Sequence, residues 1–141
     1  MFKNIVLPIN LSDTSSFSVI LPVALNIAST FQSDIHLINV IPDFGMKIVE
    51  DYLPKNWIND HTAKNLAELD NLISEYIPSE ISGVSYVARG SVYEEIIKYS
   101  NKIKADLIII SATSAGLTNE MLGHNTSSIV KYADISVLVV R

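Results

Sequence analysis

The chain has 141 residues, of which 48% are hydrophobic and 18% charged, with no cysteine and a formal net charge of −5. A single domain over residues 1–141 is expected, burying roughly two thirds of its unfolded surface in one core, and the composition excludes a disordered chain. Ten scattered Lys and Arg exclude a protein that grips nucleic acid through a basic face. No apolar run reaches the ~20 residues of a membrane span.

Phe2 to Pro8 reads as a first strand centred on Ile5, Val6 and Leu7. The start MFKNIVLPIN turns polar too soon for a secretory signal, so the cytosol is the expected compartment. Asn10 to Ser16 is a turn and cap cluster, followed by a helix over Phe17 to Phe31 with Val19, Ile20, Val23, Ala24, Ile27 and Ala28 at helical spacing. Pro22 inside it predicts a kink or a late start. Ile35 to Ile41 is a second strand. Pro42 to Asp60 is a long irregular stretch holding the only tryptophan, Trp57, and is read as a flap over the sheet edge. A helix from Asp60 to Tyr76, a strand from Val84 to Ala88, a turn at Gly90 and Ser91, and a helix from Tyr93 to Asn101 follow. The unbroken run Leu107 to Ile110, a loop of small and hydroxyl residues, a helix from Ser127 to Tyr132 and the run Val137 to Val140 complete the chain.

Four-residue apolar runs without alternation suit strands covered on both faces. Five strands joined by helical crossovers imply an α/β fold with three layers, a parallel sheet between helices. Reversal after the third strand gives the order 3-2-1-4-5, and the ligand crevice then lies beyond the carboxyl ends of strands 1 and 4. Pro8 to Ser12 would face Ser111 to Gly123 across it. At Gly123, His124, Asn125 and Thr126 the backbone amides and the helix dipole can meet an anion, with Ser111, Thr113, Ser114 and Thr118 as further donors. The same residues also make an ordinary turn and cap.

Four segments carry a resemblance: KNIVLPIN at the start, HLINVIP around Val40, the Gly90-Ser91 turn, and LGHNTSSIVKYADISVLVVR at the end. Across essentially its whole length the chain resembles the universal stress protein (UspA-like) family, most of all its UspF/UspG-like branch. The resemblance implies a flavodoxin-like, adenine nucleotide alpha hydrolase-like domain in the cytosol. It further implies ATP or AMP, with or without Mg2+, between the first and fourth strands, and a homodimer through Val137, Leu138, Val139 and Val140. Carried onto this chain, the nucleotide site comprises Pro8, Ile9, Asn10, Val40, Ser111, Thr113, Gly123, His124, Asn125 and Thr126. Of the family's Gly-x2-Gly-x9-Gly-[Ser/Thr] loop only Gly123 remains, with Ser111 and Thr113 or Ser114 near the first two glycines. His124 stands at the Ser/Thr position, and Asn10 replaces an aspartate. A nucleotide-free dimeric interaction module is the alternative, and its partner would be an unknown protein.

No Gly-x4-Gly-Lys-[Ser/Thr] loop, Gly-x-Ser-x-Gly elbow or His-Glu-x2-His helix occurs, so no catalytic residue is assigned beyond slow ATP hydrolysis or self-phosphorylation that the resemblance allows. His36 and His61 lack metal-ligand spacing. A flavodoxin-like electron carrier is disfavoured, because no aromatic residue precedes Gly123 to flank a flavin. The last strand, placed at a sheet edge, invites pairing with a second chain.

Overall fold

The computed structural model describes residues 1–43, 52, 54, 56–112 and 123–141. Thr113, Ser114 and Thr118 of the expected site lie outside the described residues, as does most of the stretch between Pro42 and Trp57.

The strands are β1 (Asn4–Pro8), β2 (Asp34–Pro42), β3 (Gly83–Gly90), β4 (Leu107–Ser111) and β5 (Ser136–Val140). All pair in parallel, in the order β3-β2-β1-β4-β5. That is the doubly wound arrangement expected from the apolar runs. Ile5, Val6 and Leu7 of the central strand are fully buried, because helices cover both faces and no side of the strand can be polar.

Helix α1 (Ser15–Phe31) and helix α2 (Trp57–Tyr76) lie on one face of the sheet. There Phe17, Ile20, Ala24 and Leu69 pack with Leu7, Leu37 and Ile109. Helix α3 (Val92–Lys102) and helix α4 (His124–Tyr132) cover the other face, where Ile96, Tyr99 and Ile129 meet Val6, Ile38 and Ile108. The edge strand β5 alternates between the layers, with Leu138 and Val140 toward the first and Val137 and Val139 toward the second. With a neighbouring strand on one side only, Val137 to Val140 are half-buried rather than fully enclosed.

Three helix starts differ from the expectation. Of the kink or late start foreseen for α1, the late start does not occur: the helix begins at Ser15 and runs through Pro22. Pro22 is exposed, so its ring lies on the solvent side while the buried face of the helix continues through Ile20 and Ala24. Helix α2 begins at Trp57, which places the tryptophan on the helix and not in a flap; its amide donates to the Pro54 carbonyl at 2.9 Å. Helix α4 begins at His124, three residues early, because Gly123 stands at its N-cap and its carbonyl accepts from the Ser127 amide at 2.9 Å.

At the base of the sheet one carboxylate joins two strands. Asp106 Oδ2 accepts from the amides of Lys3 at 2.7 Å and Asn4 at 2.9 Å, fixing the entry of β1 beside that of β4. At the opposite end Gly90 closes β3 with φ of +141°, a conformation that only glycine adopts without strain, and the chain turns there into α3.

Candidate functional site

Beyond the carboxyl ends of β1, β2 and β4 lies a cavity of about 550 Å3. That volume falls in the range of small-molecule sites, about 300–1,000 Å3. Its position follows from topology: β1 and β4 are neighbours whose crossovers leave toward opposite faces, so no connection fills the gap between them.

The apolar part of the wall is built from both layers. Ile20 reaches it from α1, Ile38, Val40 and Ile41 from β2, Val92 and Ile96 from α3, and Ile110 and Ile129 from β4 and α4. Such a lining suits the apolar body of a small ligand.

The polar part begins at the end of β1. Asn10 Oδ1 accepts from the Ser12 amide at 3.0 Å, and the Asn10 carbonyl accepts from Asp13 at 3.2 Å, so the loop closes on its own side chain. One lone pair of the Asn10 oxygen is thereby engaged locally, and the residue lines the cavity wall. Asp13 Oδ1 accepts from the Ser15 amide at 3.1 Å and serves the start of α1. Hydrogen bonds from the Ser15 hydroxyl and then from its amide hold the Asp13 carboxyl below the usual carboxylate range.

Deeper in the cavity two buried asparagines form a chain. Asn39 Nδ2 donates to the Ile9 carbonyl at 2.9 Å, and Asn65 Nδ2 donates to Asn39 Oδ1 at 2.9 Å. β1, β2 and α2 are thereby joined through side chains at the cavity wall. His61, Lys64, Asn65 and Glu68 recur at helical spacing and bring one polar stripe of α2 to the same wall. Lys64 is the only lysine or arginine there among the described residues.

On the far side, Thr126 Oγ1 donates to the Ser111 carbonyl at 3.0 Å and pins the first turn of α4 to the end of β4. The amides of this turn have no partners within the helix, as at any helix start. The Gly123 amide is different: it donates to the Ala112 carbonyl at 3.2 Å, and its φ of −58° is open to any residue.

Of the residues expected from sequence, Pro8, Ile9, Asn10, Val40, Ser111, Asn125 and Thr126 come together on the cavity wall. Gly123 and His124 do not line it. Gly123 is buried with its amide committed, and His124 is exposed beside the Tyr93 ring, centroids 6.5 Å apart. Asp13, Asn39, His61, Lys64, Asn65 and Glu68 went unforeseen. A signal existed for two of them: Asn39 interrupts an otherwise apolar strand, and Asn65 stands four residues before the buried Leu69 on the inward face of its helix.

Known proteins share this architecture. The family model described as the universal stress protein family matches residues 1–141. Universal stress protein G of Escherichia coli O157:H7 is 26% identical over 147 aligned positions spanning 100% of both chains. Among solved structures, UspA from Lactobacillus plantarum superposes with a TM-score of 0.77 at 21% identity, covering 99% of this chain and 98% of its own. A universal stress protein from Archaeoglobus fulgidus in complex with dAMP has a TM-score of 0.69 at 13% identity, covering 99% and 98%.

Proposed function

The chain belongs to the universal stress protein family, and on that premise we propose that it binds an adenine nucleotide, ATP or AMP, in the crevice between β1 and β4. The observation that carries the reading is the cavity itself: apolar walls from both layers and the amide-rich first turn of α4 border one space of about 550 Å3. The Archaeoglobus relative with dAMP supports the ligand class. Phosphates would lie against the first turn of α4 near Asn125 and Thr126, where the helix dipole favours an anion. Mg2+, when ATP is bound, would be carried by the phosphates. The protein acts as a cytosolic stress regulator whose surface responds to the nucleotide, and not through a catalytic group of its own.

Calorimetric titration of nucleotide-stripped protein with AMP and with Mg-ATP tests the reading. Asn125→Glu is the informative variant. A carboxylate in the first turn of a helix favours that helix, and Asn125 is exposed, so lost binding reports repulsion of phosphate and not unfolding. Micromolar binding by wild type, weakened about tenfold or more in the variant, is expected. No heat at millimolar ligand would replace this reading with a nucleotide-free interaction module.

We also propose a homodimer through β5. The Val140 carbonyl accepts from Ala112 on the β4 side, so along the extended strand Val137 and Val139 direct their backbone groups to the open edge. Val139→Pro removes one donor from that edge without touching the β4 ladder, and light scattering should then find a monomer of unchanged fold. A dimer that persists would place the interface elsewhere.

A further inference from the structure

The two buried asparagines give the proposed site a directional hydrogen-bond reader. The Ile9 carbonyl can only accept, so the group Asn39 turns toward it must be Nδ2, at 2.9 Å. Asn39 Oδ1 therefore faces Asn65, and the group Asn65 turns toward it must again be a donor, Nδ2 at 2.9 Å. A backbone carbonyl thus fixes the orientation of two side-chain amides in series. Reversing Asn65 would set its Oδ1 against Asn39 Oδ1, and reversing both would set an oxygen against the Ile9 carbonyl.

Asn65 is 8% exposed, and that residual surface belongs to the cavity wall. After its bond to Asn39 it retains one N–H and both lone pairs of Oδ1. A donor beside an acceptor, in fixed order, complements an adenine edge, which offers the 6-amino donor beside the N7 or N1 acceptor. Guanine and hypoxanthine carry O6 in place of the amine. On the N7 edge they present two acceptors, and on the N1 edge they reverse the order of donor and acceptor.

We propose that Asn65, oriented through Asn39 by the Ile9 carbonyl, is the residue that selects adenine over 6-oxopurine bases in the crevice. The inference rests on nucleotide binding in this cavity and assigns its base specificity to α2, an element that supplies none of the residues expected from the sequence. Lys64, one residue earlier, is a donor only and has no acceptor for the adenine 6-amino group.

The test is calorimetric titration with AMP and with inosine 5'-monophosphate, which share ribose and phosphate and differ at the 6-position. Wild type should bind AMP about tenfold or more tightly than inosine monophosphate, the discrimination expected of one good amide–base pair. Asn65→Leu should bring the ratio to within about twofold, chiefly by weakening AMP. Asn65→Ser keeps the test open should the leucine variant unfold, since a hydroxyl can still donate toward Asn39 Oδ1 but lacks the paired donor and acceptor of an amide, and it too should bring the ratio to within about twofold. Asn125→Glu should weaken both ligands and leave the ratio standing. An AMP preference that survives removal of Asn65 overturns the inference while nucleotide binding stands; equal binding of both ligands by wild type does the same. No binding of either ligand overturns both readings together.

Discussion

β2 carries a buried hydrogen-bonding side chain near each end, and the two are wired differently. Toward its carboxyl end Asn39 hands its orientation to Asn65, and that chain ends at the cavity wall with hydrogen-bonding capacity left over. Toward its amino end His36 joins Tyr99 on α3, with 3.0 Å between Nδ1 and the hydroxyl, and Asn4 on β1, with 3.2 Å between Nε2 and Oδ1. There both ring nitrogens have protein partners. In the tautomer with Nε2 protonated, Nε2–H donates to Asn4 and the Tyr99 hydroxyl donates to Nδ1. A buried polar chain that closes on itself reads as structural, and one that ends on a cavity reads as a place for a ligand. The contrast is a physical criterion, since an unpaired buried polar group is unfavourable unless something else satisfies it.

The largest expected effect separates the two chains directly. His36→Leu strands the Tyr99 hydroxyl, in a residue 6% exposed, and should destabilise the protein by about 1–3 kcal/mol. Thermal unfolding should show a fall of several degrees while AMP affinity stays within about twofold. A comparable loss of AMP affinity would break the division between the two ends.

A smaller effect concerns pH. Burial pushes the His36 imidazole below its ordinary value of 6.5, and the nearby Asp34 carboxylate opposes that shift in part. The folded state therefore takes up the proton at lower pH than the unfolded state does. Stability from this group is complete above about 6.5 and is lost as pH falls through the folded value, because the unfolded chain binds the proton first. Urea midpoints measured between pH 7.5 and 5.5 should decline in wild type, and His36→Leu should flatten the part of that decline due to this group.

The same contrast explains what the sequence revealed. Ile5-Val6-Leu7 and Leu107 to Ile110 are legible as central strands because helices on both faces forbid polar positions in them. Their order then located the crevice, which is a property of topology and needs no particular residue. Helix starts were less legible. Ser15, Trp57 and His124 carry weak local signals, and α2 and α4 are held instead by ties to Pro54 and, through Thr126, to Ser111. The α2 wall of the cavity was illegible for another reason. Asn39 and Asn65 lie on different elements, 26 positions apart in sequence, and only packing of α2 against the sheet gives either a partner. Gly123 shows the reverse case: a residue prominent in the motif has an amide bound to Ala112 and a backbone that does not require glycine.

The smallest effect extends the comparison to the rings that stand at each end. Trp57, the only tryptophan, stacks on His61 with ring centroids 4.8 Å apart and planes 9° from parallel, and His61 lines the cavity. At the closed end Tyr86 stacks on Tyr99 with centroids 4.0 Å apart, next to His36. A ligand that enters between β1 and α2 changes the surroundings of the first stack and leaves the second alone. Excited selectively, Trp57 should change its emission intensity by roughly a tenth on saturation with AMP, following the same isotherm as the calorimetric heat, because stacking and hydrogen bonding around an indole respond to a neighbouring aromatic or polar group. Phosphate alone, occupying only the first turn of α4, should leave the tryptophan signal flat. A full response to phosphate would show that the two halves of the crevice are coupled, and the base side would then lose its claim to be an independent reader.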